Sequence, residues 1–173
     1  MIYVGRLEKV KGVQNILKGL EKADKKFHLS IVGDGEYTNE LKRLSHKLLL
    51  DDNVDFLGRR DDIPELLSKA DVFVHLPEWE EGFGIAVVEA MASGLICICG
   101  NVGALPEIIE DGVNGYLVEK SNYSLFWEKV NDYLQNSNGS ASDMYLNALC
   151  KAFCFSIEKY AYYLDQIEVG FSK

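Results

Sequence analysis

Residues 71–94 read DVFVHLPEWEEGFGIAVVEAMASG. The run Val72-Phe73-Val74-His75-Leu76 predicts a strand. Gly82 and Gly84 predict a turn, and Ile85 to Ala92, free of Gly and Pro, predicts a helix that ends at Gly94. Strand, glycine turn and helix together aim free backbone N–H groups and the positive end of a helix dipole at an anion. Every residue from Ile85 to Ala92 except Glu89 is apolar, so the helix is expected to be buried nearly all round. A lone carboxylate there needs hydrogen-bond partners. Ligand hydroxyls would serve, and so would backbone amides. Glu81, eight positions earlier, places a second carboxylate at the turn.

On either side of this stretch, short apolar runs alternate with amphipathic segments. The runs are Ile2-Tyr3-Val4, 27–32, 54–57, 72–76, 95–99 and Tyr116-Leu117-Val118. They are nearly continuously apolar, as strands of a parallel sheet covered on both faces are. Between them, Val13, Ile16, Leu17 and Leu20 form a helical stripe, as do Tyr37, Leu41, Leu44 and Leu48, and Ile63, Leu66, Leu67 and Ala70. The pattern predicts an α/β fold: a Rossmann-like, doubly wound parallel sheet of about six strands with helices on both faces. Ligands then belong at the carboxyl ends of the strands. After Val118 the pattern is helical only. One helix carries Phe126, Val130, Tyr133 and Leu134 and is capped at Ser121 or Asn122. A second carries Tyr145, Leu149 and Phe153, and a last one Ile157, Tyr160, Ala161, Leu164 and Ile167.

A chain of 173 residues suits one domain with a real core. A net charge of −9 argues against a nucleic-acid partner and gives no support for docking on anionic lipid. No apolar run approaches the roughly 20 residues of a membrane span. Met1-Ile2-Tyr3-Val4-Gly5 does not read as a signal peptide but as a strand that begins at once, as if the chain were cut before a core element. Cys97, Cys99, Cys150 and Cys154 are expected to be reduced, packed thiols, consistent with a cytoplasmic protein.

Several loops carry candidate chemistry. Arg6 and Lys11 follow the first strand and suit a diphosphate, Arg in forked contacts and Lys as a point charge; a solvated loop is the alternative. Gly33, in Val32-Gly33-Asp34-Gly35, marks a second glycine turn, which ends a strand or touches a ligand. No G-x-G-x-x-G or Walker lysine pattern accompanies it, which disfavours hydride transfer and ATP hydrolysis. Gly58 and Arg59 end the third strand, where an Arg can stack on a base or stand in solvent. The doublets Asp51-Asp52 and Asp61-Asp62 read as turns and caps, not as a metal site. His28 reads as edge or surface. For His75, on a buried strand, a structural imidazole and a site role are equally supported.

The pattern E-G-F-G-x4-E-A-M-A-x-G, with E-x7-E spacing, resembles the signature of the family 4 retaining glycosyltransferases, which use the GT-B fold of two Rossmann-like domains. The resemblance runs from Val4 to the final helix and implies that residues 1–173 are the C-terminal, nucleotide-sugar-binding half, the N-terminal acceptor domain being absent. It departs at Ala104, where a second glycine is common, and at Glu78, where a small Ser is common. It implies a UDP-, GDP- or ADP-sugar donor and a glycan or lipid-linked acceptor held through the missing domain. The whole enzyme would be a hexosyl- or N-acetylhexosaminyltransferase of bacterial surface polysaccharide synthesis, cytoplasmic or at the inner membrane face. No cofactor and no essential metal are implied. Carried onto this chain, Glu81 lies at the donor sugar as the catalytic glutamate. The backbone of Gly82, Phe83, Gly84 and Ile85 holds sugar and phosphate, and Glu89 bonds the ribose hydroxyls. Arg6 and Lys11 meet the phosphates, Gly33 lies beside the cleft, and Gly58 and Arg59 lie where the base is read. A non-catalytic nucleotide-sensing or docking module and a GT-B-like epimerase are the other readings.

Overall fold

A computed structural model describes residues 1–21, 23, 27–136 and 140–156. The expected last helix, with Tyr160 and Leu164, lies outside the described residues. The strands are β1 (Ile2–Val4), β2 (Leu29–Val32), β3 (Val54–Gly58), β4 (Val72–His75), β5 (Ile96–Gly100) and β6 (Tyr116–Val118). All pair in parallel, in the order β3-β2-β1-β4-β5-β6. The helices are α1 (Val13–Leu20), α2 (Thr38–Lys47), α3 (Ile63–Ser68), α4 (Ile85–Ala92), α5 (Leu105–Ile108), α6 (Phe126–Asn136) and α7 (Ser140–Phe153).

The doubly wound fold is visible in the strands themselves. Tyr3, Val72, Val74 and Ile98 pack into a core with the buried stripe of α1, Leu41 of α2 and Phe126 and Val130 of α6. Their neighbours Ile2, Phe73, Cys97 and Cys99 pack on the other face with Leu67, Val87, Ala90, Met91, Leu105 and Ala148. Successive strand residues point to opposite faces, so a strand covered on both sides must be apolar throughout. Each large side chain buried this way contributes about 1.5–3 kcal/mol.

Three expectations are corrected. The helix after β6 does not start from Ser121 or Asn122. Residues 120–125 form a 3-10 segment, bent at Asn122, and α6 starts at Phe126. The Tyr123 hydroxyl donates to the Pro77 carbonyl (2.8 Å) and Phe126 is fully buried, and these two anchors set where the chain turns in. Cys97 and Cys99 are buried free thiols, but Cys150 on α7 and Cys154 just past its end are exposed. Finally, α4 is not buried all round. Val87, Ala90 and Met91 face the core, while Ile85, Glu89 and Ala92 stand on an exposed face, so Glu89 needs no buried partner.

Candidate active site

The strand order reverses between β1 and β4, and both strands end on the same edge of the sheet. The loop after β1 carries Arg6 and Lys11; the loop after β4 carries Glu81 and the glycine turn. Two successive chain directions thus diverge at this point and leave a crevice between them. A cleft of about 260 Å3 lies there, lined by Tyr3, Arg6, Lys11, His75, Glu81 and the turn from Phe83 into α4.

Glu81 is the centre of the cleft. Its side chain is 14% exposed, and Lys11 Nζ donates to both carboxylate oxygens at 3.1 and 3.0 Å. His75 Nε2 lies 2.9 Å from Oε2. The backbone of Glu81 is fixed as well. The Ala104 N–H donates to the Glu81 carbonyl at 3.0 Å, and a Cβ on Gly103 would come within 2.5 Å of the Glu81 backbone. Only glycine at 103 lets these two loops meet so closely. The β4 loop is tied to the β1 loop by the Glu78 N–H, which donates to the Val10 carbonyl at 2.8 Å.

The hydrogen bond with His75, followed by that from Lys11, holds the Glu81 carboxyl at about 2, below its ordinary value of 4.5, against the opposing effect of burial. A carboxylate depressed in the folded state stabilises the fold fully above pH 4.5, and that contribution is lost as pH falls towards about 2. We therefore expect the thermal unfolding midpoint of the native chain to exceed that of Glu81→Gln by a constant margin above pH 5. The margin should shrink steadily between pH 4.5 and 2. A margin that does not change with pH would show that the charge of Glu81 adds no stability.

The glycine turn leads into α4 through Gly84, which takes a left-handed φ of 76° as its N-cap. The first N–H groups of a helix have no intrahelical partner, and those of Ile85 and Ala86 open at the cleft, which both residues line. Ile85 is 65% exposed and Phe83 is 46% exposed. Phe83 stacks edge-on against Phe155, ring centroids 5.4 Å apart, so the turn that follows α7 braces the glycine turn. Arg6 stands out in solvent beside Glu8, and its loop is fixed by the Tyr3 hydroxyl, which donates to the Arg6 carbonyl at 3.1 Å. Burial and the nearby Glu81 carboxylate push the Tyr3 hydroxyl's pKa up, so it stays a donor.

Arg6, Lys11, Glu81, Phe83, Gly84 and Ile85 are therefore brought together. Gly82 is exposed between two lining residues, and Glu89 stands exposed one turn along α4 from Ile85. Gly33, Gly58 and Arg59 lie outside this cleft, at the neighbouring ends of β2 and β3, where the Gly33 N–H donates to the Gly58 carbonyl at 2.8 Å. Arg59 is exposed. Tyr3 is a cleft residue that reads only as a strand apolar in the sequence, and His75 is placed in the site by its contact with Glu81. His28 is a surface residue paired with Asp55. Among the described residues no group of three His, Cys, Asp or Glu side chains is arranged to hold a metal ion. A larger cavity, about 510 Å3, opens at the opposite, amino-terminal edge of the sheet beside Phe27, Leu66 and Trp127; it is mainly apolar.

Residues 1–149 match the family described as Glycosyl transferases group 1. The chain belongs to this family. Its sheet and helices match solved glycosyltransferase structures of the GT-B fold. Among curated relatives, N-acetyl-alpha-D-glucosaminyl L-malate synthase of Bacillus anthracis is 38% identical over 121 residues, covering 69% of this chain and 32% of the relative. The structure of Anabaena HepE in complex with UDP superposes with a TM-score of 0.90 at 26% identity, over 98% of this chain and 48% of HepE. The C-terminal domain of a group 1 glycosyl transferase (LpcC) from Francisella tularensis superposes with a TM-score of 0.75 at 26% identity, over 89% of this chain and 84% of that domain. This glycosyl transferase chain thus spans about a third of the Bacillus relative's length and about half of HepE's. No helix among its described residues is long and apolar enough to cross a membrane.

Proposed function

We propose that this group 1 chain is the donor-binding, C-terminal half of a family 4 retaining GT-B glycosyltransferase. Its cleft receives the diphosphate and sugar of a nucleoside-diphosphate sugar. The observation that carries the reading is the convergence of Arg6, Lys11, Glu81 and the first turn of α4 on one crevice at the strand reversal. Two cations and a helix N-terminus form an anion site, and a carboxylate beside it suits neutral hydroxyls. The likeness of nearly the whole chain to a separately crystallised C-terminal domain supports the placement in the enzyme.

In this reading Arg6 and the Ile85 and Ala86 amides meet the diphosphate, and Glu81 accepts from hydroxyls of the sugar. Glu89, on the exposed face of α4, reaches the ribose, and the Gly58–Arg59 turn borders the base. Charge that builds on the leaving diphosphate is stabilised by donors already in place. The residues present require no metal for this neutralisation. The whole enzyme moves a hexose or N-acetylhexosamine to a glycan or lipid-linked acceptor with retained configuration. The isolated half binds donor but transfers poorly, because positioning across two domains supplies much of the rate. A docking module needs none of these charged residues in one cleft, which weighs against that reading.

A calorimetric titration with UDP, GDP and ADP tests the proposal. UDP is the first choice, since HepE holds it. One nucleotide should bind, and Arg6→Ala and Glu89→Ala should each weaken it about tenfold or more, the cost of a charge-assisted contact. Failure of all three to bind at millimolar concentration would favour the docking module.

A further inference from the structure

We propose that His75 is a positioning residue of this site: it keeps the Glu81 carboxylate aimed into the cleft when Lys11 turns from it to the phosphates. The role of the cleft rests on the donor-binding reading, but the contact itself is present in the ligand-free chain. His75 ends β4 with its side chain 8% exposed, its ring 5.9 and 6.5 Å from the ring centroids of Tyr3 and Phe73. Its Nε2 meets Glu81 Oε2 at 2.9 Å, while its Nδ1 is buried with no partner among the described residues. A buried N–H without an acceptor is costly, so the proton belongs on Nε2, the nitrogen that faces the carboxylate. A purely structural histidine is expected to satisfy both nitrogens. Here the strand leaves one unmet and directs the other at Glu81.

Lys11 and His75 hold Glu81 in different ways. Lys11 is a long side chain, 29% exposed, at the end of a short 3-10 turn (Lys9–Lys11), so other rotamers can carry its ammonium to another anion. His75 is wedged in the sheet and is not. When a diphosphate enters, Lys11 has two anions to choose between. The His75 contact is the one that persists, and it holds the carboxylate where the sugar arrives. Tyr3 from β1 and Cys99 from β5 face the same pair, both of them kept neutral by burial and by Glu81.

The test follows the Glu81 carboxyl carbon by NMR through an acid titration of the ligand-free chain, in the native protein and in Lys11→Met, His75→Leu and His75→Gln. Lys11→Met should leave Glu81 titrating below the ordinary carboxylate range, and His75→Leu should move it upward further than Lys11→Met does. Glutamine, whose amide nitrogen reaches the place of Nε2, should restore most of the native titration and shows that the site still folds. In parallel, His75→Leu should reduce the ratio of UDP-sugar to UDP affinity about tenfold with UDP affinity kept, whereas His75→Gln keeps the ratio. An unchanged Glu81 titration in His75→Leu overturns the inference. Failure of the native chain to bind any of UDP, GDP and ADP overturns the donor reading instead and leaves the titration to decide the contact.

Discussion

Replacing Glu81 with glutamine is expected to remove the preference of the cleft for a nucleotide sugar over the free nucleotide, while nucleotide affinity holds or rises a few-fold. Two consequences of the geometry act in opposite directions. The carboxylate proposed to accept from sugar hydroxyls is lost, at an expected cost of about 1.5–3 kcal/mol, tenfold or more in affinity. Lys11, which gives both contacts of its ammonium to Glu81 in the free chain, is released. A diphosphate no longer has to compete for it. Calorimetric titrations with UDP and UDP-glucose measure both effects in the same protein. Equal weakening of the two ligands would show that Glu81 organises the phosphate side rather than the sugar side.

The second large effect is on the fold. Gly33→Ala should lower stability by about 3–5 kcal/mol, at the severe end for a single substitution. For a chain of this size, at about 2–4 °C per kcal/mol, the thermal midpoint should fall by on the order of 10 °C. Gly33 follows β2 at a φ of +133°, and a Cβ there would lie 1.8 Å from the Gly5 carbonyl oxygen. That contact cannot be relieved by rotating a side chain, because both partners are backbone. It would push the β1 loop, and Arg6 with it, away from β2, where the Gly5 N–H donates to the Val32 carbonyl at 3.0 Å. Gly82→Ala is the control. A Cβ at Gly82 meets nothing within 4 Å, so its midpoint should stay within a few degrees of the native value. A mild Gly33→Ala would mean that the two strand ends are not in backbone contact.

The fold was legible because a strand covered on both faces leaves no polar gap. Ile2-Tyr3-Val4 and Cys97-Ile98-Cys99 declare themselves even though alternate residues enter different cores. The charged part of the site was legible for a related reason. Arg6, Lys11 and Glu81 sit in loops that follow strands, and parallel strands deliver such loops to one edge. The surroundings of α4 were not. An apolar octapeptide says that a helix packs on something, but not which side is left open, so Glu89 was expected in a buried place and stands on an exposed one. The pairing of His75 with Glu81 was equally hidden. They lie six positions apart, and the glycine turn that folds one back on the other is held by Gly103 and Ala104, far along the chain. Gly33 reads in the sequence as a glycine that ends a strand or touches a ligand, and its place in the fold is a close approach of two backbones at the end of β2.

The most direct measurement is a two-dimensional NMR map of backbone amides during a titration with UDP. The amides of Gly5, Arg6, Phe83, Gly84, Ile85 and Ala86 should shift most, with smaller changes at Gly58 and Arg59. Residues of the apolar cavity at the other edge, such as Phe27, Leu66 and Trp127, should stay in place. Shifts concentrated at that cavity, or none anywhere with any of UDP, GDP and ADP at saturation, would contradict the assignment of the β1–β4 cleft as the nucleotide-sugar site.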